Sequence, residues 1–187
     1  MPELAETIYA PELEGGQWIQ GELVRIRPLR GKALVLVDFW DYTCINCIRT
    51  LPYIVQWHKR YAQHGLKVVG VHAPEFEFAR ESGYVRQSLQ NFGIEYPVVL
   101  DNDYAIWRAY SNRYWPAKYL VDAQGRIRYV HFGEGAYRET ESMIQRLLKE
   151  LHPNLDLPPP MDPIRGVAMA LSVAGSINSQ ATSIPMF

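Results

Sequence analysis

Two rhythms of apolar residues alternate along the chain. Ala33 to Phe39 (ALVLVDF) is a continuous β-branched and aliphatic run bounded by Gly31 and Lys32, which predicts a central parallel strand buried on both faces. From Ile45 to His64 the apolar positions Ile48, Leu51, Ile54 and Val55 recur at helical spacing, and Gly65 supplies the stop. Leu66 to Val71 predicts a second strand, after which Pro74 breaks the run. Val85, Leu89 and Phe92 mark the buried stripe of a helix around Ser82 to Phe92, ended by Gly93. A third strand at Pro97 to Leu100 and a short helix near Asp103 to Tyr110 follow. This is the β-α-β alternation of a parallel sheet with crossover helices.

The rhythm then changes. Lys118 to Val121 and Ile127 to Phe132 flank Asp122-Ala123-Gln124-Gly125, which reads as an antiparallel hairpin. A last helix shows Met143, Ile144, Leu147, Leu148 and Leu151 on one face. Ahead of the core, the alternating patch Trp18 to Ile26 reads as a short hairpin. The expected fold is therefore α/β, a three-layer arrangement with a mixed central sheet and an N-terminal hairpin extension, occupying residues 1–152. Past His152 the prolines Pro153, Pro158, Pro159, Pro160 and Pro163 give a stiff linker signature, and residues 166–187 carry no charge. Residues 153–187 are expected to lie outside the core, and the uncharged tail after Arg165 to be dispensable for catalysis, so that truncation after Pro158 leaves insulin-disulfide reduction intact.

At 187 residues the chain is long enough for about one domain. Lys+Arg 19 against Asp+Glu 20 leaves a formal charge of -1, so no general pull toward nucleic acid or anionic lipid exists. No run approaches the roughly 20 apolar residues that cross a bilayer; Gly166 to Gly175 is the longest candidate. Membrane insertion is not expected. Glu3, Glu6, Glu12 and Glu14 stand where a secretory signal would carry basic residues, so the chain as written predicts a cytoplasmic protein. Loss of a signal or anchor would make it extracytoplasmic instead.

Cys44-Ile45-Asn46-Cys47 sits where the central strand hands over to a helix. There the first cysteine meets unpaired backbone N–H groups and the positive end of the helix dipole, which favour thiolate over thiol. Cys44 is the candidate nucleophile. Cys47, one turn inside the helix, is placed to attack a mixed disulfide at Cys44 and release the product. Two blander readings compete: small buried hydrophobes, or half of a zinc site. Zinc would need two further ligands, and no second CxxC exists, while His58, His64, His72, His131 and His152 lack ligand spacing. Neither a metal nor another cofactor is expected.

Val37-Asp38-Phe39-Trp40, three intervening residues and then CxxC resembles the active-site stretch of thioredoxin, and the similarity extends over about residues 10–150. Pro52 five residues after the second cysteine and Pro116 at the hairpin strand add to it. The long N-terminal segment and the phrases DNDYAIWRAY and YWPAKYLVDAQGRIRY look most like the TlpA-like branch, and within it the DipZ-type C-terminal domain. The resemblance implies a thioredoxin-like fold and thiol-disulfide oxidoreductase activity. It also implies a cis peptide at Pro116 beside the cysteines, leaving the preceding backbone free to pair with substrate. Thr43 and Ile45-Asn46 depart from the thioredoxin pattern, so its redox potential cannot be carried over.

Asp38, at the end of a buried strand, is costly to charge and is a candidate proton acceptor for Cys47. Glu75 resembles in position an active-site glutamate of the TlpA-like branch, with Glu77 as a substitute; a solvated loop charge is the plain alternative for both. Pro52 reads as a helix kink with a packing role. Of the aromatic residues near the motif, Trp40 and Trp107 read as core, while Tyr42, Trp115 and Pro116 are candidate substrate contacts. Expected partners are protein thiols and disulfides or small thiols, with a separate electron donor or acceptor. A peroxiredoxin-type thiol peroxidase is disfavoured because Asp41 stands three residues before Cys44, where the P-x-x-x-T-x-x-C pattern has threonine. A non-catalytic adaptor with a stable disulfide is the third reading.

Overall fold

The computed structural model describes residues 7–164. The apolar run after Gly31 forms β2 (Leu34–Trp40), every residue of it buried. It is followed by α1 (Ile45–Tyr61), β3 (Leu66–His72), α2 (Ser82–Asn91), β4 (Val98–Leu100), α3 (Ala105–Ala109), β5 (Ala117–Val121), β6 (Ile127–Phe132) and α4 (Tyr137–Leu151). A short strand β1 (Gln17–Gln20) precedes them. The strands form one sheet in the order β1-β4-β3-β2-β5-β6. β2, β3 and β4 are mutually parallel, while β1, β5 and β6 run antiparallel to their neighbours. The sheet is mixed because helical crossovers join its parallel strands and a tight turn joins β5 to β6.

The two faces of β2 are covered differently. Leu34, Leu36 and Trp40 pack with Leu51, Ile54 and Trp57 of α1, Leu89 of α2 and Ile144 and Leu148 of α4. Val35, Val37 and Phe39 pack instead with Ile106 of α3 and with Leu13, Val24 and Ile26 of the N-terminal segment. Side chains alternate across a strand, so Asp38 belongs to the face under α1.

Two sequence expectations are corrected. Trp18 to Ile26 does not form a hairpin: β1 pairs antiparallel with β4, and Val24 and Ile26 cross the opposite face as coil. Alternation identifies an extended segment with one buried face but not its partner, and the Gln20 carboxamide fixes the choice by donating to the Ile94 and Tyr96 carbonyls at 2.8 Å each. The chain past His152 does not simply leave the domain either. Leu155, Leu157, Met161 and Ile164 pack against the α1–α4 face. The Met161 N–H donates to Glu141 Oε2 at 2.8 Å and the Ile164 N–H to the Tyr53 hydroxyl at 3.0 Å. Pro158 and Pro159 present carbonyls to Gln145 and Arg60. This strap runs back along α1, from the turn after α4 toward the helix's N-terminal half. The proposed tail at residues 165–187 lies outside the described residues.

Candidate active site

The C-terminal end of β2 delivers the chain through Asp41, Tyr42 and Thr43 to Cys44, the N-cap of α1. Asp41 shapes the turn: its Oδ1 accepts from the Thr43 N–H at 2.7 Å and the Thr43 hydroxyl at 2.9 Å. Its Oδ2 accepts from the Glu75 N–H at 2.5 Å, tying the turn to the loop after β3. Burial opposes the charge of Asp41, but His72 and the Glu75 and Thr43 N–H groups outweigh it and hold the carboxyl below its usual value. His72 Nε2 lies 3.7 Å from Asp41 Oδ1, its ring edge-on to Trp40 and stacked on Tyr42. The sequence reading used neither Asp41 nor His72 in this way, because their meeting joins the turn after β2 to the end of β3, distant along the chain.

Cys44 is partly exposed, Cys47 is buried, and both are free thiols. The Cys44 sulfur caps the helix by accepting from the Cys47 N–H at 3.3 Å. The hydrogen bond from the Cys47 thiol, joined by the Cys47 and Asn46 N–H groups, brings Cys44 down to about 7, against burial and the charge of Glu75. Burial, followed by the neighbouring Cys44, pushes Cys47 far the other way. The outer sulfur is thus ionised near neutrality while the inner one holds its proton.

Beneath them lies Asp38, 1% exposed, with neither carboxyl oxygen meeting a hydrogen-bond partner among the described residues. Burial raises its pKa to about 7, partly offset by Lys118. Lys118 was not singled out from sequence, where a lone lysine at a strand's edge reads as a solvated end. Pro116 stands at the start of β5, whose first residue Ala117 pairs with Phe39, so it shares the sheet end that carries Cys44. The Trp115–Pro116 peptide is cis. Trp115 is half-buried; its indole N–H donates to the Ala73 carbonyl at 2.9 Å and its ring meets Trp107 at 4.2 Å between centroids. It braces the loop after β3. Tyr42 is half-buried on His72, Trp40 is fully buried, and Trp107 is half-buried.

Glu75 is exposed, and its charge acts on Cys44, whereas Glu77 is turned to Arg80 at 3.0 Å. Of the two, it is the charge of Glu75 and not that of Glu77 that bears on Cys44. α1 runs without interruption through Pro52. Among the described residues no group of three or more His, Cys, Asp or Glu side chains could hold a metal ion.

Residues 9–130 match the AhpC/TSA family. The chain belongs to the AhpC/TSA family. This AhpC/TSA domain is 46% identical over 155 residues to protein DipZ of Mycobacterium tuberculosis, a match covering 81% of the chain but 22% of that protein. The chain thus spans about a fifth of that relative's length. It is 32% identical over 141 residues to the thiol-disulfide oxidoreductase YkuV of Bacillus subtilis, covering 75% of the chain and 94% of YkuV. Among solved structures, a thioredoxin-like protein in its oxidized form superposes with a TM-score of 0.70 at 31% identity, over 77% of this chain and 97% of that one. The domain has the thioredoxin-like fold.

Proposed function

We propose that this chain is a thiol-disulfide oxidoreductase that exchanges disulfides with protein or small-thiol partners through Cys44 and Cys47. The observation that carries the reading is the contrast between two thiols one helical turn apart: the outer one lowered to about 7 and partly exposed, the inner one buried and raised. The near full-length likeness to YkuV supports it. In the reducing direction the Cys44 thiolate attacks a substrate disulfide, and the distal substrate sulfur leaves as a thiolate with the electron pair of the broken bond. Cys47 then gives up its proton, which we assign to Asp38, and attacks the Cys44 sulfur. The Cys44–Cys47 disulfide forms, the second substrate sulfur departs, and two electrons have passed to the substrate. Pro116, Trp115 and Tyr42 border the approach to Cys44 and serve as substrate contacts, and Glu75 modulates the outer thiolate.

A peroxidase function is less well supported, since Asp41 occupies the position of the threonine that precedes a peroxidatic cysteine and its carboxylate is spent on the turn. No helix among the described residues is long and apolar enough to cross a membrane. A potential near thioredoxin's, about −270 mV, would suit a cytoplasmic reductant, and one near about −120 mV an oxidant in an oxidising compartment.

Substitution and trapping test the assignment of the two sulfurs. Cys47→Ser is expected to accumulate mixed disulfides with a substrate protein, Cys44→Ser none, and alkylation of Cys44 should rise with pH around a midpoint of about 7. Equal trapping by the two variants would overturn it.

A further inference from the structure

β5 reads Ala117-Lys118-Tyr119-Leu120-Val121, four uncharged residues around one lysine that is 0% exposed. Leu120 packs in the cluster under α1, while Ala117, Tyr119 and Val121 pack on the opposite face, so alternation turns Lys118 toward α1. Its registered partner on β2 is Asp38, which faces the same way. Directly opposed residues of an antiparallel pair have Cβ atoms about 4.5–5.5 Å apart. A buried ammonium is expensive without a matching anion. Yet no carboxylate lies within salt-bridge distance of Lys118 among the described residues; the Nζ donates to the Gly133 carbonyl at 3.1 Å. A structural ion pair does not account for it.

We propose that Lys118 is the positioning residue that keeps Asp38 in its carboxylate form, ready to take the Cys47 proton in the resolving step; this rests on the disulfide-exchange reading above. The groups around Asp38 make the argument. From α1 come Cys44 and Cys47, and from the segment before β4 comes the buried Tyr96. From β3 the registered partner is Gly70, with no side chain; a Cβ there would come within 3.0 Å of Trp40 Nε1 and 3.2 Å of the Tyr96 ring. His72 lies two pairs farther along, opposite Trp40. On β6 His131 is registered against Lys118, its ring nitrogen at the Glu134 carbonyl. Lys118 is the lysine or arginine of this set.

Its effect depends on the stage of the reaction. In the reduced enzyme the Cys44 thiolate and the Lys118 ammonium act on Asp38 in opposite senses. Once Cys44 is bound to substrate in a mixed disulfide its negative charge is gone, and Lys118 acts unopposed. The carboxylate is therefore favoured at the stage that needs a base. The proton then passes from Cys47 Sγ to Asp38, the Cys47–Cys44 bond forms, and the Cys44–substrate bond breaks, its electron pair leaving with the substrate sulfur.

The test is stopped-flow reaction of the reduced protein with an aromatic disulfide whose released thiolate absorbs visible light. A first release reports attack by Cys44 and a second reports resolution by Cys47. In Lys118→Met the first phase should change by less than about twofold. The second should shift its pH midpoint upward by about one unit and slow about tenfold at pH 7, within the usual effect of an opposite charge. Asp38→Asn should flatten that pH profile, and adding Lys118→Met to it should change nothing more. Lys118→Gln, which keeps a hydrogen-bond donor for Gly133, should behave as Lys118→Met does and serves in its place if the methionine variant does not fold. An unshifted second-phase profile in the lysine variants, or a further loss in the double variant, overturns the proposal alone. Absence of a second phase in the unaltered protein overturns the exchange reading instead.

Discussion

Two of the buried carboxylates, Asp38 under α1 and Glu141 on α4, are each 1% exposed, and their surroundings are opposite in kind. Glu141 on α4 has its oxygens filled: Oε1 accepts from the Tyr61 hydroxyl at 2.6 Å and Oε2 from the Met161 N–H at 2.8 Å, with Arg60 Nε 3.5 Å away. Tyr61 in turn accepts from Gln145 at 2.7 Å. Asp38 meets no donor among the described residues and faces two thiols. A filled carboxylate anchors packing, since every lone pair it uses also satisfies a donor that would otherwise be costly to bury. An unfilled one is held at the edge of ionisation and can exchange a proton, at the expense of stability. The difference separates the scaffold end of α1 from its reactive end.

The largest effect is expected at the filled site. Glu141→Ala leaves the Tyr61 hydroxyl and the Met161 N–H without their acceptor and removes the partner of Arg60. At about 1–3 kcal/mol for each stranded buried group, the loss should be about 3 kcal/mol. Thermal unfolding should report a drop in Tm of about 6–12 °C for a chain of this size, while the alkylation profile of Cys44 stays in place. A shifted Cys44 profile would show that the two ends of α1 are coupled and break the comparison.

The opposite sign is expected at the unfilled site. The pKa of Asp38 is about 7 in the folded protein against a model value of 3.8. Between those pH values the folded form holds a proton that the unfolded chain has lost, so unfolding releases one and rising pH favours it. The penalty is absent below about pH 4, grows through the interval and levels off above about pH 7, with a ceiling of about 4 kcal/mol. Asp38→Asn removes the titration but buries an amide, so a net gain of about 2 kcal/mol is expected at pH 8 and little or none at pH 4. Urea unfolding at the two pH values measures it. Equal stability changes at both would show that Asp38 does not ionise within the fold. The same variant should slow resolution by roughly 10- to 100-fold near pH 7, at or below the usual general-base range.

Legibility from sequence follows the same division between local and non-local causes. The motif at Cys44 and Cys47, the strand that delivers it and the helix it caps were readable because each depends on neighbours in sequence: a β-branched run, a helical period, a glycine stop. Asp38 was readable because it is the acid in the buried strand that leads into the motif. Lys118 was not, since its meaning comes from a register against β2 set some eighty residues earlier in the chain. Asp41 and His72 were missed for the same reason: one sits in the catalytic turn and the other at the end of β3. The N-terminal hairpin was a misassignment of partner. The extended character of Gln17–Gln20 could be read from its pattern, but β4 offered an open edge that no local pattern reveals.

The strap gives the smallest expected effect and the finest test of where the scaffold ends. Its proline-rich composition predicted a linker, and truncation after Pro158 was accordingly expected to leave disulfide reduction intact. The structure adds specific contacts beyond that point: Met161 and Ile164 packed on the α1–α4 face, and their N–H groups held by Glu141 and Tyr53. Removing them strands fewer groups than Glu141→Ala does, because the freed Glu141 oxygen and Tyr53 hydroxyl become open to water. The shorter chain also has less conformational entropy to lose on folding. A net loss of about 1 kcal/mol is expected, read as a Tm lower by about 2–4 °C, with insulin-disulfide reduction per folded molecule unchanged. Truncation after Leu151 should lower Tm further, since Leu155, Leu157 and the Pro158 carbonyl that Gln145 holds are lost as well. If truncation after Pro158 lowers the rate of disulfide reduction while Tm holds, the strap belongs to the reactive end of α1, and the division between anchored and reactive carboxylates runs through a different part of the molecule.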